Sequence, residues 1–490
     1  MEIKFPKSYP VLSAIDFNLA LESPMLSTDG KSPHMLSLAA CGSTNKGSST
    51  DTPASTPATD SQPETDSDDD DPQIEVEPRE FKKTASIEET VLVDENGVKI
   101  TAKELTYGNY AAELTLAIEN NSDRDLSFIA NSIGYSCNSI NGYMVPEGYL
   151  NCDVAAGKKA NDTISIGYDT LMLYGIYEIA DIEIGFDISD DDYNHTYTGP
   201  RTIQTTAAGS YDYETPCYRE SIASKESQTE YDYSVPYFFA DAIYEENGLV
   251  IASQTVMENE DGESILLLEV VNTTDEIVGV STTNIDINGL RVCDSTWSYD
   301  SINPGKTAIV DIDLSSVLEP EYWEIYRIAE VGNVALKVSF KDGDSNEVAN
   351  PAHISIDIPG AESTFSMEGT EIYNDNGIRI VSKGVFADPS EYSDDLHILL
   401  VAENTSGRTL ALHDVYDSLS VNDYMTAYSF YTKTIEDGAS VMIDIRLWGY
   451  SLEDINISEP SEVKTVEFSL SIKDQNYKEI DEVTVALTIE

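Results

Sequence analysis

Apolar and polar residues alternate over short stretches through most of the chain. In residues 113–118 and 182–188, leucine, isoleucine or phenylalanine occupies every second position. A period of two directs one face of a strand into a core and the other into solvent, so these stretches predict half-buried antiparallel strands. Turn signals such as Asn96-Gly97 separate them, because Asn and Gly accept the positive φ of a type I′ hairpin.

One arrangement of turn and strand occurs three times, opening at residues 95–100, 246–251 and 375–380. In each copy an apolar strand follows and ends in an Asn-x-Ser/Thr turn at Asn120, Asn272 or Asn404. These asparagines match glycosylation acceptors as well as turns, and we interpret them as turn residues. Internal repetition fixes the unit of folding, which here is a domain of roughly 120 residues with its own core.

The repeat predicts an all-β fold of three tandem immunoglobulin-like antiparallel β-sandwiches with almost no helix. About seven or eight short strands per copy, separated by turn signals, are typical of a β-sandwich. The expected domains are residues 87–206, 237–360 and 366–490, with an irregular linker at 207–236 that exposes Cys217. The copies are expected to follow one another like beads on a string, behind a disordered N-terminal region.

The N-terminal region contains a short pattern with a functional meaning. Leu38-Ala39-Ala40-Cys41 matches the lipobox of bacterial lipoprotein signals, in which the cysteine is lipidated and becomes the mature N-terminus. Ser, Thr, Pro, Gly and Asp then dominate residues 42–72. Such a composition cannot offset the entropy of ordering, so residues 35–86 are predicted to form the lipobox and a disordered acidic tether.

The segment before the lipobox does not look like an export signal. A signal has a basic start and an apolar stretch of about 7–15 residues, whereas residues 27–34 are polar and interrupted by Pro33. We interpret residues 1–34 as an atypical or mis-joined start. The alternative is a chance Leu-Ala-Ala-Cys in a cytosolic protein.

Several phrases of the first copy resemble a known group of proteins. They are residues 95–103, 118–123, 141–144 and 154–162, together with the lipobox tail at 36–42. The chain resembles lipoproteins of clostridial-type Gram-positive gut anaerobes that carry functionally uncharacterised, repeated immunoglobulin-like domains. The resemblance weakens in the third copy, where Asn422-Asp423 replaces Asn-Gly. It implies an extracellular β-sandwich, supplies no activity and transfers one functional residue, the lipidated Cys41.

The charge of the chain limits its partners. Its formal net charge is −61, from 89 acidic and 28 basic side chains. Such a surface repels phosphate backbones and anionic headgroups, so nucleic acid is not expected as a partner and a membrane is expected only through the lipid anchor. We expect an extracellular, membrane-anchored monomer whose partner is an extracellular protein or a glycan.

Two turns are rich in hard oxygen ligands. Asp187, Asp190 and Asp192 occupy one such turn, and Asp342 and Asp344 occupy the equivalent turn of the second copy. Carboxylates at short spacing are ligands that Ca²⁺ prefers, although the EF-hand order is missing. The alternative is a solvated hairpin tip, in which Asp serves turn geometry alone. No other cofactor is expected.

The remaining reactive residues do not form a known catalytic pattern. Cys137 and Cys152 flank a predicted hairpin, and free thiols are favoured over a disulfide because the other copies lack the pair. Trp297, Trp323, Trp448 and the tyrosines are interpreted either as a sugar-stacking platform or as strand residues. The chain has no nucleophile-elbow, P-loop or zinc-protease motif.

From these patterns we expect a non-enzymatic cell-surface lipoprotein that acts as a binding, adhesion or scaffold module. The alternatives are a carbohydrate-binding accessory of a polysaccharide-degrading system and a calcium-dependent adhesin.

Overall fold

The computed structural model describes residues 80–489, except 131–137, 214, 216, 260, 261, 316, 319 and 391, and except the side chains of 295–300 and 320. The predicted lipobox at Cys41, residues 1–34, the tether as far as residue 79, and Cys137 lie outside the described residues. Residues 80–86, predicted as the end of the disordered tether, are instead packed on the first copy, where the buried Phe81 ring stacks on Tyr168 at 4.5 Å.

The first copy comprises β1 (Thr90–Glu95), β2 (Val98–Tyr107), β3 (Ala111–Asn120), β4 (Leu126–Ala130), β5 (Asn138–Ile140), β6 (Tyr143–Val145), β7 (Leu150–Val154), β8 (Lys158–Gly167), α1 (Tyr168–Leu173), β9 (Asp181–Asp190) and β10 (His195–Gln204). The connection to the second copy comprises α2 (Cys217–Ala223), α3 (Lys225–Glu230) and β11 (Tyr233–Phe239).

The second copy comprises β12 (Tyr244–Glu246), β13 (Leu249–Asn259), β14 (Ser264–Asn272), β15 (Val278–Ile287), β16 (Leu290–Ile302), β17 (Lys306–Asp313), α4 (Pro320–Tyr326), β18 (Asn333–Lys341) and β19 (Ala352–Asp357). The third copy comprises β20 (Thr370–Asp375), β21 (Ile378–Ala387), β22 (Leu396–Asn404), β23 (Leu410–Asp414), β24 (Ser420–Val421), β25 (Tyr424–Met425), β26 (Tyr428–Phe430), β27 (Lys433–Ile435), β28 (Ser440–Leu447), α5 (Gly449–Glu453), β29 (Thr465–Asp474) and β30 (Glu479–Thr488).

Each copy packs two sheets face to face, and the predicted all-β sandwich class is confirmed. In the first copy, β1, β2, β3 and β8 form the first sheet, and strands β4 to β7 with β9 and β10 belong to the second sheet. The inward residues of both sheets form the core, including Leu114, Leu116 and Phe186, each fully buried. The short helices α1, α4 and α5 lie at the same point in the three copies, directly or shortly after β8, β17 and β28.

The turn that opens each copy has the predicted conformation. Asn96, Asn247 and Asn376 have φ values of 52°, 51° and 53°. The glycine that follows is required by space as well as by φ, because a Cβ on Gly377 would lie 2.5 Å from the backbone of Ser406. This hairpin therefore brings the first strand of the copy onto the Asn-x-Ser/Thr turn.

The Asn-x-Ser/Thr asparagines are turn residues buried between the two sheets. Asn120 Nδ2 donates to the carbonyl oxygens of Arg124 and Val154 at 2.7 and 2.8 Å, and its Oδ1 accepts from the Ser122 amide at 3.0 Å. Asn272 and Asn404 make the same set of bonds in their own copies. A fully buried amide that bonds two carbonyls fixes the chain between the sheets, since unpaired buried carbonyls are costly.

The segment predicted as an irregular linker with an exposed Cys217 is different in the structure. It folds into α2 and α3, and β11 begins inside it at Tyr233. Tyr218 and Ile222 are four residues apart, share one helix face and are fully buried. Cys217 is half-buried, and burial raises the pKa of its thiol. The connection is therefore packed, so the beads-on-a-string picture is wrong here.

Candidate functional site

The first two copies are joined by strand pairing. The tip of the β5–β6 hairpin lies against the edge of β17 in the second copy, where Thr307 pairs with Tyr143 in parallel. The Thr307 amide donates to the Gly142 carbonyl at 2.9 Å. As a result, the second sheet of the first copy is continuous with the first sheet of the second copy.

The second and third copies are joined in the same register. The hairpin between β15 and β16 lies against β28, and Leu290 pairs with Ser440. The pairing residue of the hairpin directly follows the hairpin glycine in both junctions. Its partner lies two residues after the glycine of the turn that precedes the receiving strand, which is Gly305 before β17 and Gly438 before β28. The repeated register identifies a specific junction between copies.

Charged side chains cross both junctions. Glu183 of the first copy lies 3.2 Å from Lys306 Nζ of the second. In the second junction, Arg291 lies 3.2 Å from Glu436, which precedes β28. Arg291 is also held by Asp286 in its own copy. These pairs connect the hairpin sheet of one copy to the start of the receiving strand β17 or to the turn before the receiving strand β28 of the next.

The third copy keeps the hairpin of the junctions and leaves it exposed. Asn422 and Asp423 have φ values of 51° and 70°, close to those of the other two hairpins. Asn422 Oδ1 accepts from the amides of Lys464 and Thr465 at 2.7 and 3.1 Å. Asn141 and Asn288 lock their hairpins in the same way. The third hairpin is therefore formed without a neighbour.

The residues after the hairpin tip differ sharply in exposure. Tyr143 is 9% exposed and Leu290 is fully buried at the two junctions. In the third copy, Tyr424 is 60% and Met425 is 63% exposed. The first copy has the same Tyr-Met pair, with Met144 packed against the core of the second copy. A Tyr-Met pair that packs into the first junction, with its tyrosine buried, is thus exposed at the third hairpin.

More aromatic residues lie on the segment that hydrogen-bonds to this hairpin region. Trp448 donates its amide to the Ala427 carbonyl at 3.1 Å. The Arg446 guanidinium lies 4.6 Å from the centre of the Trp448 ring, and the exposed Tyr450 ring stacks beside Trp448 at 6.4 Å. We call Tyr424, Met425, Trp448 and Tyr450 the distal aromatic surface.

Trp323 does not belong to this surface. Trp323 is half-buried against the core of the second copy and donates Nε1 to the Leu318 carbonyl at 3.0 Å. The side chain of Trp297 lies outside the described residues. Of the two tryptophans whose side chains the structure describes, Trp448 is the one that lies beside an exposed aromatic ring.

Sequence reasoning did not identify a charged cluster on the third copy. His397 Nδ1 lies 2.7 Å from Asp444 Oδ1, and its Nε2 lies 3.1 Å from Asp388 Oδ2. Arg446 pairs with Asp395 beside them. The cluster sits under the second junction, where the Tyr322 ring of α4 meets His397 edge to face. The available signal was a histidine inside an otherwise apolar strand.

Two carboxylates favour the protonated form of the His397 ring. Burial alone would lower the pKa of His397, but the hydrogen bonds and charges of Asp444 and Asp388 outweigh it and raise this pKa. Burial would raise the pKa of Asp388, yet the Ser390 amide and His397 lower it. Because both ring nitrogens are bonded to carboxylates, the cluster works as a lock between β22 and β28, with no nitrogen left to move a proton.

The predicted calcium ligands serve as turn residues. Asp190 Oδ1 accepts the amides of Asp192 and Asn194 at 3.0 Å, and Arg124 pairs with the same carboxylate. Asp187 is apart from this turn and pairs with His195 at 3.0 Å.

The equivalent turn of the second copy is built in the same way. Asp342 Oδ1 accepts the amides of Asp344 and Asn346 at 3.0 and 2.8 Å. The Asn346 side chain and backbone lower the pKa of Asp342. Within the described ranges, no three His, Cys, Asp or Glu side chains are grouped so that they could hold a metal ion. Calcium binding remains a prediction without a preformed site.

Cys152 is a half-buried free thiol whose pKa is raised by burial. Its predicted alternative partner, Cys137, is not among the described residues. In the part of the chain that the structure covers, no helix has the length and apolar character needed to cross a membrane.

Comparisons with known proteins identify no family and only distant structural neighbours. No protein-family model and no curated protein matches the chain. A protein of unknown function from Porphyromonas gingivalis W83 is 10% identical, with 53% of this chain and all of that chain covered and a TM-score of 0.14. Amycolatopsis orientalis exo-chitosanase is 6% identical, with 82% and 79% covered and a TM-score of 0.16. The BSP domain of a biofilm-associated protein is 11% identical, with 85% and 68% covered and a TM-score of 0.15. Scores at this level carry no functional argument.

Proposed function

We propose that this protein is a non-enzymatic cell-surface lipoprotein that acts as a binding or scaffold module and presents the distal aromatic surface to a partner. The observation that supports the proposal most is the exposure of Tyr424, whose counterparts Tyr143 and Leu290 are buried at the two junctions, beside the exposed Met425. Exposed large apolar side chains on a preformed, rigid hairpin are typical of recognition sites.

Coupling between the copies suits the same role. Each junction continues a sheet across the boundary and adds a charged pair, so bending there breaks hydrogen bonds and ion pairs. A binding surface on rigidly coupled copies loses less orientational entropy on binding than the same surface on flexibly linked copies. The copies then act as a spacer that holds the distal aromatic surface in a fixed orientation.

Attachment to the membrane through Cys41 is the second part of the proposal. Two acyl chains on a cysteine give stable anchoring, since each buried CH₂ contributes about 0.8 kcal/mol. The DNA upstream of codon 35 is expected to encode a basic and apolar signal in another frame or at an earlier start. With that signal restored, the protein should partition into detergent, and Cys41→Ala should release it. Partitioning that Cys41→Ala leaves unchanged would remove the anchor.

A glycan is the second candidate partner, and a specific contact favours it. Trp448 is backed by the Arg446 guanidinium and stacks beside the exposed Tyr450. Paired rings of this kind offer flat apolar faces on which a sugar ring packs. The carbohydrate-binding role therefore uses Trp448 and Tyr450, whereas a protein partner uses Tyr424 and Met425 as well.

The proposal is tested with the full-length chain and a matched pair of variants. Tyr424→Ser with Met425→Ser should reduce the binding of the chain to cell-envelope preparations at least tenfold. Tyr110→Ser with Tyr149→Ser removes two tyrosines that are also exposed, but lie in the first copy, and should leave binding unchanged. A glycan array with and without Ca²⁺ then assigns the partner class. Equal binding by both double variants would contradict a role for the distal aromatic surface.

A further inference from the structure

Each junction has two complementary parts, a hairpin on one copy and a strand edge on the next. The hairpins at Gly142 and Gly289 use the edges of β17 and β28. Among the described strands, the hairpin of the third copy has no neighbouring copy, and the edge of β8, the strand of the first copy that corresponds to β17 and β28, is likewise unpaired. The chain therefore displays one unused part of the junction in its first copy and the complementary part in its third.

The edge of β8 matches the two edges that are used. Lys158 and Lys159 follow Gly157, as Lys306 and Thr307 follow Gly305. Both lysines are exposed. At the second junction, the residue equivalent to Lys159 is Ser440, which is 8% exposed. An uncovered strand edge offers backbone groups that another chain can pair with.

We propose that the third hairpin of one chain binds the β8 edge of a second copy of this chain, in the register of the two internal junctions. The inference rests on the proposed function, because it names the partner of part of the distal aromatic surface. In this register Tyr424 pairs with Lys159, and the Lys159 amide donates to the Asp423 carbonyl. Tyr424 and Met425 then lie where Tyr143 and Met144 lie at the first junction.

The charges of the two unused parts are complementary. In the first junction, Glu183 pairs with Lys306. Glu467 takes the position of Glu183 in the third copy. The Asp181 carbonyl in the first copy and the Thr465 carbonyl in the third accept the backbone amide of the hairpin asparagine. Glu183 and Glu467 each lie two residues after that carbonyl. Lys158 takes the position of Lys306 in the first copy. Neither Lys158 nor Glu467 has an ion pair inside the described part of its own chain.

The outer face of the first sheet limits the strength of this contact. In the first copy it carries Glu113, Thr115 and Glu119, which are exposed or half-exposed. In the second and third copies the corresponding face is largely buried and carries Leu267 and Leu399 where the first copy has Thr115. Contact between two chains is therefore confined to the strand edge and the hairpin. Such a contact is weaker than the junctions inside one chain, where the copies are already linked by the backbone. Because the two parts differ, the contact is heterologous and forms open head-to-tail assemblies.

Self-association of the full chain is measured by sedimentation velocity over a wide range of protein concentration at physiological ionic strength. The wild type should shift from monomer to larger species as concentration rises. Lys158→Glu and Glu467→Lys should each weaken the association constant at least threefold, and the chain with both changes should recover it. A wild type that stays monomeric, or a double variant that does not recover, would overturn the proposal.

A mixing experiment separates head-to-tail pairing from hairpin-to-hairpin pairing. One variant carries Lys158→Glu and keeps its hairpin, and the other carries Tyr424→Ser with Met425→Ser and keeps its edge. At one concentration, each variant alone should contain fewer assemblies than the wild type, and an equimolar mixture should gain dimers without gaining larger species. Dimers of the Lys158→Glu chain alone would show symmetric hairpin pairing and would overturn the proposed contact. Unchanged thermal unfolding midpoints verify that the variants are folded.

The inference and the proposed function fail in different ways. If the wild type remains monomeric while the hairpin variant loses binding to cell-envelope preparations, the second-copy inference is wrong and the proposed function stands. If the wild type self-associates through the hairpin and the envelope binding does not depend on it, the self-association stands and the proposed partner role is wrong.

Discussion

The β3 strand of the first copy and the β22 strand of the third occupy the same place in the repeat, yet their outer faces differ. Counting from the buried Asn120 and Asn404, Thr115 corresponds to Leu399. Leu399 is fully buried in a cluster that includes Tyr326 of the second copy, whereas Thr115 is half-exposed. The inner faces of both strands are buried and apolar.

The difference follows from what precedes each strand in the chain. The second copy covers the outer face of β22, where the hydroxyl of its Tyr326 donates to the Leu400 carbonyl at 3.0 Å. No copy precedes β3 within the described residues, and its outer face has Glu113 where β22 has His397. In repeat proteins a terminal unit needs a polar outer face to remain soluble. The residues of the inner face are therefore set by the fold, and those of the outer face by whether another copy packs on it.

The largest expected effect comes from removing the outer-face contact itself. Leu399→Ala should lower the free energy of unfolding by about 2–5 kcal/mol, the usual cost of a cavity at a buried leucine. Thr115→Ala, at the same place in the first copy, should change it by less than about 0.5 kcal/mol. Both values come from denaturant unfolding followed by tryptophan and tyrosine fluorescence. Equal costs at the two positions would contradict the difference between the outer faces.

Positions that serve the fold should behave alike in both copies. Asn120→Ala and Asn404→Ala each leave two carbonyl oxygens without a donor, so each should cost about 1–3 kcal/mol. Differential scanning calorimetry should report similar losses for the two variants. A large loss for one and none for the other would show that the repeated turn is not equivalent in the two copies.

A pH-dependent effect is expected from His397 of the third copy. The pKa of His397 is raised in the folded protein, so the stability that its charge contributes is complete below the unfolded pKa of about 6.5 and is lost as pH rises through the folded value. Each unit of pKa elevation corresponds to about 1.4 kcal/mol. His397→Gln should remove this pH dependence of the thermal midpoint, and Glu113→Gln should not. A wild type whose midpoint is flat above neutral pH would contradict the cation lock.

The smallest effect is expected for calcium. The carboxylates of Asp190 and Asp342 already accept backbone amides, and Asp190 is paired with Arg124. Excess Ca²⁺ should leave the unfolding midpoint of the wild type unchanged, and Asp342→Asn should not alter the response. A Ca²⁺-dependent rise of the midpoint that Asp342→Asn abolishes would restore the predicted site.

Period-two alternation and the Asn-Gly turns were sufficient to predict the sandwich fold. Alternation in residues 113–118 is the pattern of a strand with one solvent face, and β3 has that arrangement. The continuous apolar run of residues 265–268 was a further signal, because a strand without a polar face is buried on both sides. The presence or absence of a polar face on this strand therefore distinguishes the second and third copies, which pack behind another copy, from the first.

Other features could not be read from the chain. The ion pair of Glu183 and Lys306 joins residues that are far apart in sequence, and nothing in the spacing identifies either one among so many charges. Tyr424 and Tyr143 follow nearly the same hairpin sequence, so the local sequence does not show which of them is buried by a neighbouring copy. The two helices of the connection were missed because a helix of one or two turns contains too few apolar positions for its period to be recognised.

The central claim is that pairing between sheets couples the copies, and the backbone amide of Thr307 tests it most directly. This amide donates to the Gly142 carbonyl across the first junction, whereas the Lys159 amide has the same position on the exposed edge of β8. Hydrogen exchange of the full chain at low concentration, resolved to single amides, should be much slower at Thr307 than at Lys159. Equally fast exchange at both amides would mean that the junction opens freely and that the copies are independent after all.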